Sequence, residues 1–125
     1  MKDKIEYYSK LMPVEGCFST TEAERRASEF LSALAFLADA RHVLTKEKIK
    51  ALSVQNATYS QELSKGTAKT ITENKTTVEA SGVYIAARED LENIDNDISY
   101  IKAYQEIFNN CHLFYRMLAK QDGPI

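Results

Sequence analysis

Apolar residues recur at three- and four-residue steps along the first half of the chain, which is the spacing of one face of an α-helix. The stripe comprises Ala23, Ala27, Phe30, Leu34, Leu37, Leu44, Ala51 or Leu52, Tyr59 and Leu63. Arg41, Lys48 and Gln55 interrupt it. The second half of this helix is therefore less apolar, and we expect it to lie near a surface, a pore or the end of a bundle.

A cap and a breaker set the predicted ends of this first helix. Thr21 and Glu24 have the spacing of a capping box, in which each side chain bonds the other's free backbone amide. No chain-breaking residue follows until Gly66. The sequence therefore predicts one helix over residues 21–64.

The second half of the chain carries a stricter repeat of apolar residues. One series with a seven-residue step contains Tyr84, Leu91 and Ile98, and a second series contains Ala87, Ile94, Ile101, Phe108 and Tyr115. Two such series, offset by three residues, are typical of a helical seam in a coiled coil. Because Thr76 and Glu79 repeat the capping-box spacing, a second helix is predicted over residues 77–121, and Gly123 and Pro124 then end it.

The seam broadens toward the carboxyl end, where apolar residues occupy a second side of the predicted helix. A helix that is apolar on two sides needs two partners, so we expect copies of the chain to self-associate there. The predicted oligomer interface comprises Ile94, Ile98, Ile101, Tyr104, Ile107, Phe108, Cys111, Phe114, Tyr115 and Leu118.

Shorter segments flank and join the two predicted helices. Residues 65–76 are polar and threonine-rich, which indicates a connection longer than the about 2 to 8 residues usual in helical bundles. Residues 1–20 are predicted to be an N-terminal arm whose short helix ends before Pro13. The prediction is an all-α fold in which the arm precedes a hairpin domain, residues 21–125, of two long antiparallel helices that assembles into a homo-oligomer.

Composition agrees with one small helical domain. Of 125 residues, 44% are hydrophobic and 27% are charged, and only four glycines and two prolines occur, which argues against collagen, disordered and turn-rich β-folds. The first ten residues mix lysines with carboxylates, so no secretion signal is expected there. No stretch approaches the roughly 20 apolar residues that span a bilayer. We therefore expect a cytosolic protein with no membrane partner.

Patterns typical of enzymes and cofactor sites do not occur in the sequence. It contains no glycine-rich phosphate loop, nucleophile elbow or paired-histidine zinc helix, so we expect neither an enzyme nor a bound cofactor or metal. Asp39 and His42 lie one helical turn apart, but no second such pair completes a di-metal site. Cys17 and Cys111 are predicted to be buried thiols, and His112 a hydrogen-bonded residue of the bundle.

Charge is unevenly distributed within a net charge of -2. Residues 41–75 carry seven cations and three anions, whereas residues 76–110 carry two cations and seven anions. One explanation is that two helices of opposite sign pair along their flanks. The other is that the basic stretch binds a polyanion.

The basic stretch suits single-stranded nucleic acid, which is held by cations along its phosphates and by aromatic rings stacked on its bases. The candidate DNA-binding residues are Lys46, Lys48, Lys50, Lys65, Lys69, Lys75 and Tyr59. The small excess of cations in one chain binds weakly unless several copies present their lysines together.

This arrangement resembles the UvsY-type recombination mediators of bacteriophages, small helical proteins that bind single-stranded DNA and load a RecA-like recombinase. The likeness covers residues 28–118 and lies in the lysine-rich run 46–50, the polar connection, the run 77–81 and the aromatic end 114–116. The resemblance implies a homo-oligomeric ring that binds DNA through Lys46, Lys48, Lys50, Lys65 and Lys69.

Two functions follow as expectations. The first is a non-enzymatic recombination accessory protein that binds single-stranded DNA and hands it to a RecA-like recombinase or an annealing protein. The alternative is a structural or adaptor helical bundle, in a virion or a regulatory complex, whose charges serve only pairing and solubility.

Overall fold

The computed structural model describes residues 1–13, 19–67 and 70–121. It contains four α-helices, α1 (Lys2–Ser9), α2 (Thr20–Ser64), α3 (Ile71–Glu79) and α4 (Gly82–Gln121), and the described residues include no β-strand. The two long helices, α2 and α4, pack together. The prediction of an all-α fold built on two long packed helices is confirmed.

The chain forms two compact units, and α2 and α4 contribute to both. The terminal unit consists of Met1–His42 and Tyr100–Ile125, and the central unit consists of Val43–Ser99. Within each unit the two helices run antiparallel. In the terminal unit Arg26 meets Tyr115 and Arg41 meets Gln105, and in the central unit Lys48 meets Asp95 and Gln55 meets Tyr84.

Aromatic rings fill the core of the terminal unit. Phe30 on α2 and Phe108 on α4 are fully buried, with ring centroids 5.4 Å apart, and Phe30 stacks on Tyr115 at 5.9 Å. The facing positions on α2 include the buried alanines Ala23, Ala27 and Ala33. Small residues on one helix let the rings of the other approach closely, so the two helices interdigitate.

The N-terminal arm packs on this core through α1. Ile5 is buried, and the ring of Tyr8 meets Phe108 edge-on at 6.1 Å between centroids. The ammonium group of Lys4 lies 4.5 Å from the centroid of the Phe36 ring on α2, a cation–π contact. The predicted short helix is confirmed, and the arm covers part of the apolar surface of α4.

The central unit has a thinner apolar core. Its buried apolar residues, among those described, are Val78, Ala87 and Ile98. The last fully buried residue of α2 is Leu37, which lies in the terminal unit. The expectation that the second half of α2 lies nearer a surface is confirmed.

The start of α2 differs in detail from the prediction. The backbone amide of Glu22 donates to Oγ of Ser19 at 3.2 Å, so Ser19 provides the cap. Thr21 is exposed inside the first turn. The predicted capping box was wrong because Ser19 and Glu22 have the same spacing two residues earlier.

The predicted connection, residues 65–76, contains most of an additional helix. α3 begins after Thr70, whose side chain accepts a hydrogen bond from the backbone amide of Glu73 at 3.1 Å. It buries a single apolar side chain, Val78. Half of the predicted connection therefore belongs to a capped helix.

α4 begins five residues later than predicted. Thr76 was expected to cap it, but its hydroxyl donates to the carbonyl of Thr72 inside α3. The chain turns after Glu79, and Oγ of Ser81 accepts a hydrogen bond from the amide of Tyr84. Ser81 is thus the cap of α4.

Candidate nucleic-acid interface

Three candidate lysines project from the central unit. Lys46 and Lys50 are exposed and lie four residues apart on α2, which places them on the same side of the helix. Lys75 is exposed on α3. None of the three forms an ion pair with another described residue. Their charges are available to an anion in solvent.

Two further candidate lysines are paired within the chain. Nζ of Lys48 lies 2.7 Å from Oδ1 of Asp95 on α4, and Nζ of Lys65 lies 3.2 Å from Oε1 of Glu62. The side chains of Lys48 and Asp95 are each nearly half exposed, so their pair contributes about 0 to 1 kcal/mol. A phosphate at either lysine has to compete with a carboxylate.

Tyr59 packs against α4. Its ring meets Tyr84 edge-on with centroids 5.4 Å apart, and Nε2 of Gln55 donates to the Tyr84 hydroxyl at 3.3 Å. Tyr59 is half-buried in this cluster. Its ring therefore serves the packing of the two helices, and only part of it faces solvent. Lys69 lies outside the described residues.

A cavity of about 250 Å³ lies between the end of α2 and α3. Its lining comprises Glu62, Lys65, Gly66, Thr67, Asn74, Thr77, Val78 and Ser81. Gly66 permits a close approach, because a Cβ atom there would lie 2.6 Å from Oδ1 of Asn74. Lys65 and residues of α3 line the same cavity, an arrangement that the sequence did not predict.

Exposed apolar side chains also lie beside the lysines, and these were not among the predicted site residues. Ile49 is 66% exposed and Val54 is 57% exposed, and both flank Lys50 on the outer side of α2. Their exposure could have been predicted from the sequence, because neither residue belongs to the apolar stripe that faces inward. This surface is both basic and apolar.

Half of the predicted oligomer interface lies inside a single chain. The buried members are Ile98, Ile101, Phe108, Cys111 and Tyr115, and the half-buried ones are Ile94, Tyr104 and Leu118. Phe108 contacts Phe30 of α2 and Tyr8 of the arm, and Tyr115 stacks on Phe30, so the chain itself covers these side chains. Ile107 and Phe114 remain exposed.

Ile107 and Phe114 belong to a larger exposed apolar strip on α4. Its four large residues are Ile107, Leu113, Phe114 and Met117. Met117 is 63% exposed. Leu113 and Met117 were absent from the predicted interface, which followed the inner seam.

Residues considered for other chemistry have packing roles. Nδ1 of His112 donates to the backbone carbonyl of Ala27 at 2.8 Å, which confirms a hydrogen-bonded bundle histidine. Burial raises the pKa of the Cys111 thiol above its ordinary value of 9.0 and keeps it protonated. Cys17 lies outside the described residues.

The described part of the chain contains no cluster of three or more metal-binding side chains. None of its helices is both long and apolar enough to cross a bilayer.

No protein-family model matches the chain, and neither a curated protein nor a solved structure matches it significantly.

Proposed function

We propose that the chain is a non-enzymatic accessory protein of DNA recombination that binds single-stranded DNA through its central unit. The observation that carries the proposal is the group Lys46, Lys50 and Lys75, which is exposed and outside any ion pair among the described residues. The resemblance to the UvsY-type mediators supplies the biological setting. In that setting the bound strand passes to a RecA-like recombinase or an annealing protein.

The proposed binding is electrostatic and independent of base sequence. Each exposed lysine that neutralises a phosphate releases a counterion, so affinity falls steeply with salt. Three lysines in one copy bind weakly, and several copies on one strand raise the affinity through effective concentration. The exposed strip of Ile107, Leu113, Phe114 and Met117 supports self-association of this kind.

Fluorescence anisotropy with a labelled oligothymidylate tests the DNA-binding proposal across a series of salt concentrations. We expect binding at low salt, with a slope of about 0.7 in the log–log salt plot for each phosphate contact. The triple variant Lys46→Gln, Lys50→Gln, Lys75→Gln should lower that slope by about two. The matched control, Lys2→Gln, Lys10→Gln, Lys120→Gln, removes the same charge from the terminal unit and should keep the slope. Absence of binding by the wild-type chain at low salt would contradict the proposal.

The structural or adaptor function is the second candidate, and the pairing of Lys48 with Asp95 and of Lys65 with Glu62 favours it. In this case the lysines stabilise the chain and the exposed apolar strip binds another protein. Light scattering with and without the oligonucleotide distinguishes the two functions. An adaptor keeps its mass when DNA is added, and the triple glutamine variant assembles like the wild type.

A further inference from the structure

Exposed lysines alone do not account for a preference for single-stranded DNA. Duplex DNA carries one phosphate charge per about 1.7 Å of its axis, whereas each strand by itself carries one per about 3.4 Å. A surface that offers only cations therefore favours the duplex, which presents the denser charge. Preference for a single strand needs a contact with the bases, whose faces are accessible only when the strand is unpaired.

Tyr59, the aromatic ring predicted to contact bases, lies on the wrong side of α2 for this role. Its ring packs against α4, and Lys48 and Gln55 of the same helix also contact α4. At about 100° per residue, these three side chains share one side of α2, and Lys46 and Lys50 lie on the opposite side. A base whose phosphate is bound at Lys46 or Lys50 is therefore out of reach of the Tyr59 ring.

The outward side of α2 in the central unit carries apolar side chains beside its lysines. Lys46 and Lys50 form a central row, which we call the lysine row, with Ile49 on one flank and Val54 on the other. Ile49 is 66% exposed and Val54 is 57% exposed. Ile49 follows Lys46 by three residues and Val54 follows Lys50 by four, the spacings at which side chains on a helix are neighbours. A strand whose phosphates follow the lysine row therefore meets an apolar side chain on whichever side its bases turn.

The other residues on this side of α2 also suit a strand. Ser53 and Ala57 continue it toward the carboxyl end, and both are small and exposed, so a strand can approach the helix closely. The exposed carboxylate of Glu47 lies at the edge beside Val54, where it repels phosphates. This repulsion favours phosphates on the lysine row and leaves the Val54 flank to uncharged bases.

We propose that Ile49 and Val54 contact the bases of the bound strand and thereby select single-stranded over double-stranded DNA. This inference rests on the proposed function and assigns the residues that determine its specificity. In a duplex the bases stack on one another and only their edges are accessible in the grooves, so the two side chains gain no contact with base faces. Every base has such a face, so the selection is for an unpaired strand and is independent of sequence.

Fluorescence anisotropy with the wild-type chain and labelled probes of equal length tests the base contact. The probes are an oligothymidylate, a strand of abasic residues that keeps every phosphate, and a duplex. In low salt the oligothymidylate should bind tightest, and the abasic strand about fourfold or more weaker, the fold-change given by about one buried methylene group. The two single strands should have the same salt slope, because their phosphate contacts are the same.

A double variant, Ile49→Thr with Val54→Thr, assigns the base contact to these two residues. Threonine keeps the branched Cβ of both residues, and the lysines are unchanged. Affinity for the oligothymidylate should fall by about fourfold or more, to the level of the abasic strand, whereas affinity for the abasic strand and the salt slope should stay as in the wild type. The preference of this variant should shift to the duplex. Both residues are replaced together because either flank of the lysine row can receive the bases.

The matched control is Leu31→Thr with Val83→Thr. Leu31 on α2 is 57% exposed and Val83 on α4 is 61% exposed, and neither has a lysine or arginine within one helical turn. The control loses a similar amount of exposed apolar surface and should discriminate between the three probes as the wild type does. Circular dichroism confirms that both variants are folded, and the comparison of probes on the wild type depends on neither.

The outcomes separate this inference from the proposed function. The base contact is overturned if the wild type binds the abasic strand as tightly as the oligothymidylate. It is also overturned if the double variant keeps the wild-type discrimination, if it loses affinity for both single strands equally, or if the control loses discrimination as much. In each of these cases the wild type still binds DNA and the proposed function stands. If the wild type binds none of the probes in low salt, the proposed function and the base contact both fail.

Discussion

The hydroxyl of Tyr115 on α4 donates a 2.9 Å hydrogen bond to the backbone carbonyl of Leu11, which follows α1 in the N-terminal arm. The same hydroxyl accepts a hydrogen bond from Nη1 of Arg26 on α2, also at 2.9 Å. Arg26 is in turn 3.1 Å from a carboxylate oxygen of Glu22. One buried tyrosine therefore links the arm to both long helices of the terminal unit.

Removal of this hydroxyl should loosen the arm without disturbing the ring packing. We expect Tyr115→Phe to lower the free energy of unfolding by about 1 to 2 kcal/mol, because two polar groups lose a partner while the ring still stacks on Phe30. Urea denaturation followed by circular dichroism measures the change. Tyr7→Phe, at an exposed position of α1, is the control and should be neutral. Equal stability of the two variants would show that the hydrogen bonds to Tyr115 contribute nothing.

The aromatic core should be the largest contributor to stability in the terminal unit. Phe108 is fully buried and contacts the rings of Phe30, Tyr8 and Tyr104. Phe108→Ala should therefore cost about 3 to 5 kcal/mol, through lost transfer free energy and the cavity left behind. Met117→Ala, on the exposed strip, should change stability by no more than about 0.5 kcal/mol. Similar losses in the two variants would contradict the described core.

Periodicity in the sequence predicted which side of each long helix faces inward, but it could not show what the polar residues there would contact. The three residues that interrupt the stripe on α2 each meet a polar partner on α4. The pairs are Arg41 with Gln105 at 3.1 Å, Lys48 with Asp95 at 2.7 Å and Gln55 with Tyr84 at 3.3 Å. An apolar repeat in the sequence predicts which face of a helix is buried, whereas the partner of a polar side chain on that face depends on the register between the two helices.

The predicted interface shows a similar limit for apolar residues. The carboxyl half of α4 has more apolar surface than α2 alone can cover, and its apolar pattern predicted that a second copy covers the excess. In the structure, Ile5 and Tyr8 of the arm cover part of it. A short, charged arm carries little periodic signal, so its docking position could not be predicted.

The candidate site was predictable only as a set of positive charges. The sequence located the lysines but could not separate the exposed Lys46 and Lys50 from Lys48, which pairs with α4. That difference depends on the rotation of α2 against α4. α3 was missed because threonine has a low intrinsic helix propensity and the segment buries only Val78.

A side chain at position 66 should strain the turn after α2. A Cβ atom there would lie 2.6 Å from Oδ1 and 2.7 Å from Cγ of Asn74, so the asparagine must move. We expect Gly66→Ala to destabilise the chain by about 1 to 3 kcal/mol, the usual cost of overpacking. Gly82→Ala is a control, since nothing lies within 4 Å of a Cβ atom there.

A double variant isolates the cause of this loss. Asn74→Ala removes the two nearest atoms that a Cβ at position 66 would meet and leaves the carbonyl oxygen of Leu63 at 3.1 Å, so Gly66→Ala should cost less in that background. Urea denaturation of the four chains of this cycle measures the coupling. If Gly66→Ala costs the same in both backgrounds, the strain does not come from Asn74.

The Cys111 thiol should make stability fall in alkaline solution. Burial raises its pKa in the folded chain above the ordinary value of 9.0. Between that value and the raised pKa, the folded chain keeps a proton that the unfolded chain has released. The free energy of unfolding therefore falls as pH rises through this window, by at most about 1.4 kcal/mol per pH unit for one group.

Replacement of this thiol should flatten the alkaline decline. Cys111→Ala lowers stability at neutral pH through a small cavity, but it removes the group that titrates, so its free energy of unfolding should fall less between about pH 8 and pH 10 than that of the wild type. Burial also raises the pKa values of Tyr8 and Tyr100 above 10.0, and their contributions begin at higher pH in both proteins. Urea denaturation at each pH gives the two curves. Because the variant differs in one titrating group, parallel curves would mean that Cys111 ionises alike in the folded and unfolded chains.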